Sequence, residues 1–329
     1  MSNPHTRLHG QPANLSSPSS TRFTDRFGAA DCRAISEQFF AECQPHVSGN
    51  STVFGGSQKI EMPANPDPSI HLTRRLLVVN SNSNVLATER IQRGLAPHLR
   101  PGTTIACVNA AQGPQGIDTA LDVAIAAVET AKVVAAHRNG YDAYIVACGA
   151  DPGIDACRQI VDQPVIGITE AALLMACTLG YTFSLLTTLT AEIPSIEQLV
   201  GHYGMAARLA SVRAVEMTTA DLTDRELLFH RLVEGAQAAV RLDRAEVIVL
   251  TGSIMVGLET QIATEAQVPV LAGLVCAYHL AEGLAAYGQQ TSRAYKYRRL
   301  KKSDQLLGYP ELQNVYSSES ILENCQKLV

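Results

Sequence analysis

The chain of 329 residues contains no tryptophan, and aromatic residues make up only 5% of it. Its core must therefore be built from aliphatic side chains, which form 46% of the sequence together with the few aromatics, alanine and cysteine. No run of about 18 uncharged apolar residues occurs, so no membrane-spanning helix is expected. Charge of one sign is not in excess either. The net charge of −5 gives no field that would draw nucleic acid or an anionic membrane surface. There are eight cysteines but no Cys-x-x-Cys pair, and no His-x-x-x-His pair stands near them, so neither a zinc site nor haem attachment is supported. No cofactor and no metal are expected. Several cysteines lie inside apolar runs, which suits buried thiols in a reducing, cytoplasmic compartment better than a disulfide scaffold. The N-terminal stretch has no apolar segment followed by a cleavage site, so secretion is not expected.

Residues 1–70 are rich in Ser, Pro, Asn and Gly, and read as a largely irregular arm. One amphipathic helix is expected from about Ala30 to Cys43. The arm is either an unstructured leader or a segment that wraps a neighbouring subunit. From Arg74 the pattern changes. Short β-branched apolar runs alternate with Ala-rich stretches of helical period. The expected strands are Leu76–Val79, Thr104–Val108, Ala143–Ala147, Val165–Ile168, Phe183–Leu186, Ser211–Val215, Val247–Leu250 and Val270–Leu271. Thr119–Asn139 and Asp224–Leu242 are expected helices between them. Continuous apolar strands joined by helices predict an α/β fold with parallel sheets flanked by helices. The basic tail from Thr291 reads as a solvated surface segment.

An internal repeat of about 104 residues organises this region. Tyr144-Ile145-Val146-Ala147-Cys148-Gly149 aligns with Ile248-Val249-Leu250-Thr251-Gly252-Ser253. Gly153-Ile154 aligns with Gly257-Leu258, Pro164-Val165-Ile166 with Pro269-Val270-Leu271, and Val78–Ser83 with Leu185–Thr190. Landmarks repeated in one order imply two pseudo-symmetric lobes. The expected boundaries are 74–170 plus 272–300 for the first lobe, 171–271 for the second, and 301–329 for a C-terminal tail. Ligands of open parallel sheets bind beyond the carboxyl ends of the strands, so the ligand cleft is expected between the lobes, with Cys148 opposite Gly252.

A cysteine ending an apolar strand is commonly a packed thiol. Around Cys148 the local sequence argues otherwise. Gly149 permits a tight turn, and Asp151-Pro152 fits the cap and first residue of a following helix, whose N-terminus would favour the thiolate. Cys148 is therefore the catalytic candidate. Asn80, Ser81 and Asn82 follow the first strand, and Thr187 and Thr188 stand at the equivalent point of the second lobe. They are either turn residues or substrate contacts. The backbone amides of Gly149 and Ser253 are candidates to stabilise an enolate oxygen. Gln112 lies in a Gln-Gly-Pro loop that either lines the cleft or is plain loop. Gly252 and Ser253 complete the expected substrate-binding set. Serine is a weak base without an activating neighbour, so Ser253 does not replace a thiol.

Leu76–Ser83, Ala147–Ile154, Leu185–Leu189 and Val247–Leu258 resemble the aspartate/glutamate/hydantoin racemase superfamily, and are most similar to its hydantoin and allantoin racemases. The likeness runs from about Arg74 to Arg293. It implies an aspartate racemase-like pair of lobes, a cofactor-independent racemase or epimerase acting at an acidic α-carbon, a small-molecule substrate and a homo-oligomer. It also implies two cysteines, one on each face of the substrate. Cys148 fits the first position. The second motif, Gly-Cys-Ala-Gly-Met in the family, reads Thr251-Gly252-Ser253-Ile254-Met255 here, so Gly252 replaces the second cysteine. Ala272 also departs from an Asp common in hydantoin racemase-like sequences. A lone thiol leaves three readings open: a racemase with another group or water on the second face; a single-cysteine decarboxylase, lyase or cis–trans isomerase of the same superfamily; or a non-catalytic binding protein. The substrate implied is hydantoin-like or an amino-acid derivative.

Overall fold

The computed structural model describes residues 73–217, 221, 224–299, 306, 308–310 and 312–313. Contacts divide the chain into Met1–Asn65 and Pro66–Val329, and all described residues belong to the second unit. The N-terminal arm, with the helix expected at Ala30 to Cys43, and most of the 301–329 tail lie outside the described residues.

Eight strands are described: β1 Arg74–Asn80, β2 Thr103–Asn109, β3 Ala143–Val146, β4 Val165–Gly167, β5 Phe183–Thr187, β6 Leu209–Ala214, β7 Val247–Leu250 and β8 Val270–Ala272. They form two parallel four-stranded sheets of matching order, β2-β1-β3-β4 and β6-β5-β7-β8. β3 and β7 begin 104 residues apart, so the repeat read from sequence is a repeat of structure. Leu76–Val79 of β1 are all fully buried, and burying each such side chain is worth roughly 1.5–3 kcal/mol. That is why these strands read as unbroken apolar runs.

The helices between strands are α1 Val85–Leu95, α2 Ala120–Ala136, α3 Ile154–Ile160, α4 Ile168–Leu179, α5 Ile193–His202, α6 Arg225–Asp243, α7 Glu259–Ala266 and α8 Gly273–Tyr287. Local chemistry fixes several starts. Asn84 caps α1 by accepting from the Ala87 N–H, and Asp224 caps α6 through the Leu227 N–H. Thr119 and Asp122 form a reciprocal capping box on α2. α4 and α8 follow the last strand of each sheet and pack on each other. α4 reaches β7 of the second sheet, and α8 lies on β1 and β3 of the first. A side chain at Gly273 would meet the Ile168 carbonyl oxygen at 2.7 Å, so the two helices start backbone to backbone. One apolar cluster accordingly spans both sheets, from Leu76 and Ile145 through Ile168 to Phe183, Leu185 and Val249.

In both sheets the chain reverses its direction of growth between the central strands, β1 and β3 or β5 and β7. Such a switch point opens a crevice at the carboxyl ends of the strands. Asn80 and Cys148 lie at that crevice in the first lobe, and Thr187 and Gly252 in the second.

The segment from Thr291 departs from expectation. It is not simply solvated but straps α3. Arg293 donates to the Arg158 and Val161 carbonyls and pairs with Asp162 at 2.7 Å. Lys296 and the Tyr297 hydroxyl both hold Asp155, and Arg299 donates to the Ile160 carbonyl. The basic side chains satisfy carbonyls left open at the α3 C-terminus, a use of positive charge that composition does not show. Arg293→Ala is expected to cost about 2 kcal/mol, since several hydrogen bonds with one charged partner are lost. Urea denaturation of the two proteins checks this; equal midpoints and slopes would mean that the strap is ornamental.

Candidate active site

Cys148 lies two residues past the end of β3, after Ala147. Its carbonyl accepts from the Asp151 N–H at 2.9 Å, closing a tight turn over Cys148–Asp151. Across the cleft the Gly252 carbonyl accepts from the Met255 N–H at 3.0 Å, so the second lobe repeats the turn. The two turns meet. A side chain at Gly149 would sit 2.7 Å from the Thr251 carbonyl oxygen, which leaves glycine as the residue that fits. Cys148, Gly149, Gly252 and Ser253 are thereby brought together, each half-buried.

The expected helix cap is not where the sequence placed it. α3 starts at Ile154, with Gly153 in the left-handed region at its cap, and Asp151 does not cap it. Asp151 caps α4 instead. Its Oδ1 accepts from the Thr169 N–H at 3.2 Å, and its Oδ2 from the Glu170 N–H at 2.9 Å and from the Tyr203 hydroxyl at 2.8 Å. The carboxylate fills the space that any side chain at Gly167 would need, as near as 2.3 Å. Burial pushes Asp151 up to about 7, against the pull of those three donors.

The thiolate-favouring setting expected for Cys148 is likewise corrected. Burial pushes its thiol up to about 12. A hydrogen bond from the Ala150 N–H opposes this, while Asp151, Glu192 and Asp118 reinforce it through their negative charge. The resting protein thus holds Cys148 as a thiol, and every charge named as acting on it is a carboxylate.

The remaining candidates have the following partners. Asn80 is buried, and its amide donates to the Asn82 Oδ1, the Asn84 carbonyl and Thr88. Asn82 in turn accepts from the Asn84 N–H, so this pair shapes the loop into α1. Ser81 differs: it is fully buried just past the end of β1, and its hydroxyl has no hydrogen-bond partner among the described residues. Gln112 is exposed in a loop that Ser83 ties down through the Gly113 and Pro114 carbonyls. Thr187 and Thr188 point their hydroxyls at Glu192, which also accepts from the Thr188 and Leu189 N–H groups. Glu192 and Asp118 are the groups that sequence reading missed. Glu192 sits five residues past Thr187, where acid after Thr-Thr signals only a helix start. Asp118 lies on the loop before α2, where partial desolvation and the negative charges of Glu192 and Asp122 raise its carboxyl above the usual value. Their electrostatic effect on Cys148 comes from segments well separated in sequence. Among the described residues no group of three or more His, Cys, Asp and Glu side chains is arranged to hold a metal ion.

With the thiol at about 12, the thiolate fraction grows tenfold per pH unit at every lower pH. Iodoacetamide labelling of Cys148, followed by peptide mass spectrometry, is expected to accelerate about tenfold per unit from pH 7 to 10. A plateau below pH 8.5 would show an activated thiolate instead.

Comparison with known proteins agrees with this architecture. Residues 76–281 match the family described as Asp/Glu/Hydantoin racemase. Hydantoin racemase of Paenarthrobacter aurescens is 36% identical over 228 residues, 68% of this chain and 97% of that protein. Among solved structures, allantoin racemase of Pseudomonas fluorescens is 34% identical with a TM-score of 0.68, covering 70% of this chain and 100% of that one. Allantoin racemase of Klebsiella pneumoniae is 31% identical, also with a TM-score of 0.68, covering 74% and 100%. The chain therefore belongs to the Asp/Glu/hydantoin racemase family and is a racemase-type isomerase.

Proposed function

We propose that this enzyme racemises a neutral cyclic ureide of the hydantoin or allantoin kind, without a cofactor, through proton exchange at Cys148. The observation that carries the substrate class is the charge around the thiol. Asp151, Glu192 and Asp118 all act on Cys148, and each is acidic. A free amino acid would bring its own carboxylate into that field, at a cost. A neutral ring brings N–H groups, which carboxylates accept. The relatives named hydantoin and allantoin racemases support the same class.

In this reading the resting Cys148 thiol first gives its proton to solvent hydroxide, forming water; the thiolate then takes the proton from the ring carbon, and the bonding pair moves into an enolate. The N–H groups of Gly149 and Ser253 stabilise the enolate oxygen. A water on the Gly252 side protonates the opposite face, and the hydroxide left behind recovers the proton from Cys148. For the other enantiomer hydroxide on the Gly252 side takes the ring proton and becomes water, the Cys148 thiol protonates the opposite face, and the thiolate left behind recovers a proton from that water. Gly252 supports the role of water because it presents no side chain of its own to the cleft. The setting we propose is cytoplasmic, in keeping with free thiols at Cys107, Cys148, Cys157, Cys177 and Cys276.

Incubation of single enantiomers of a hydantoin and of allantoin in D₂O, followed by NMR and chiral chromatography, tests the proposal. Deuterium at the ring carbon with loss of optical purity is expected. Cys148→Ala is expected to lower that rate by about 10²–10⁴. Gly252→Cys is expected to raise it about tenfold, because a proton-transfer thiol is added on the open face. The nearest atoms to a Cβ there belong to Met255, from 3.3 Å, a flexible thioether that can give by the few tenths of an ångström needed. Exchange unaffected by Cys148→Ala, CO₂ release with a one-handed product, or a preference for free amino acids would each overturn the reading.

A further inference from the structure

We infer that Tyr203 is a positioning residue for Cys148, acting across the lobe boundary through the buried carboxylate of Asp151. This rests on Cys148 being the proton-transfer group proposed above. The turn that carries Cys148 is fastened to the start of α4 by two separate ties. Thr169 gives its hydroxyl to the Gly149 carbonyl at 2.7 Å, and Asp151 takes the Thr169 and Glu170 N–H groups. Asp151 holds this place with a φ of 45°, in the left-handed region that a non-glycine residue enters only under constraint. Its side chain is 3% exposed, so whatever orders that carboxylate also orders the turn.

Tyr203 is the residue that ends α5, an element packed on β6 of the second sheet. Its ring lies against the shared apolar core, and its hydroxyl reaches back to Asp151 Oδ2 at 2.8 Å. A phenylalanine would fill the same space, so the hydroxyl has a separate purpose. It is the bond that carries the second lobe's position to the Cys148 turn. The other charge near the carboxylate is Glu170, which Arg158 pairs. Arg158 is further held by the Val165 carbonyl and stacks on Tyr297. The neighbouring charges are thus anchored, and the Tyr203 hydroxyl is the one donor to Asp151 contributed by the second lobe among the described residues.

Removing that hydroxyl deprives a buried carboxylate of a donor and favours its neutral form. A neutral Asp151 no longer repels negative charge on Cys148, while the turn loses its tie across the cleft. The two consequences have opposite signs in two measurements. Tyr203→Phe is expected to lower kcat about tenfold with KM changed less than twofold. The same variant is expected to label at Cys148 with iodoacetamide about threefold faster at pH 7.5. In an Asp151→Asn background, Tyr203→Phe is expected to change the labelling rate less than twofold, since the group it acts through has been altered. Labelling needs no substrate, so it stands even where the ureide assignment fails; that failure reads instead as absent deuterium exchange with labelling intact. Labelling and kcat both within twofold of the parent overturn the inference. So does a fall in kcat accompanied by slower labelling and a lowered Tm, which marks a residue of structure alone.

Discussion

Gly149 and the Thr251 carbonyl approach each other so closely that no side chain fits between the lobes there. This contact depends on the shared plan of the sheets. Each lobe ends its third strand in a turn closed from residue i to i+3, Cys148 to Asp151 and Gly252 to Met255. Each turn is followed by a left-handed glycine, Gly153 at a φ of 73° and Gly257 at 85°. Two like turns packed face to face put their backbone groups at one point. The helices α4 and α8, crossing backbone to backbone at Ile168 and Gly273, hold the sheets at the separation this needs.

Electrostatics at that point favours protonated sulfur over bare thiolate. Low solvent access and three carboxylates all act in the same direction on Cys148, and a single N–H opposes them. A resting thiol is a store of one proton on one face, protected from alkylation and oxidation while the cleft is empty. A carbon acid that becomes planar and negative must then find its stabilisation in backbone N–H groups and not in a nearby cation. The cost of this arrangement is that thiolate must form when substrate is present. In the reading proposed above, the gain is discrimination against substrates that carry negative charge themselves.

Much of this was legible in the sequence, for definite physical reasons. The fully buried strands were readable because parallel strands buried on both faces are unbroken apolar runs, whereas the edge strands β2 and β6 are only partly buried; Val247–Leu250 is bounded in the structure as the sequence bounds it. The exceptions lie at the ends: β2 runs from Thr103 to Asn109 because pairing with β1 extends past its apolar centre. The repeat was legible because glycines at left-handed positions are hard to replace. What was not legible depends on contacts between distant segments. Asp151 next to Pro152 has the local signature of a cap, yet Gly167 leaves an empty place at the start of α4, and the carboxylate goes there. Thr187 and Thr188 look free in the sequence, but Glu192 collects both hydroxyls. The basic tail reads as a solvated face until the α3 carbonyls are seen to need donors.

The two turns also differ in a way that bears on chemistry. At i+3 the first lobe has Asp151, a buried carboxylate held by three donors; the second has Met255, fully buried and apolar. The first turn is therefore fixed by directional bonds, the second by packing. Directional bonds set where a sulfur atom sits relative to a reacting carbon, to within the tolerance of a hydrogen bond. Packing by a flexible thioether sets a volume and little else. A positioned thiol belongs on the first turn for that reason. The second turn, with Gly252 at the corresponding place, suits a proton carrier that needs room more than orientation, and water is such a carrier.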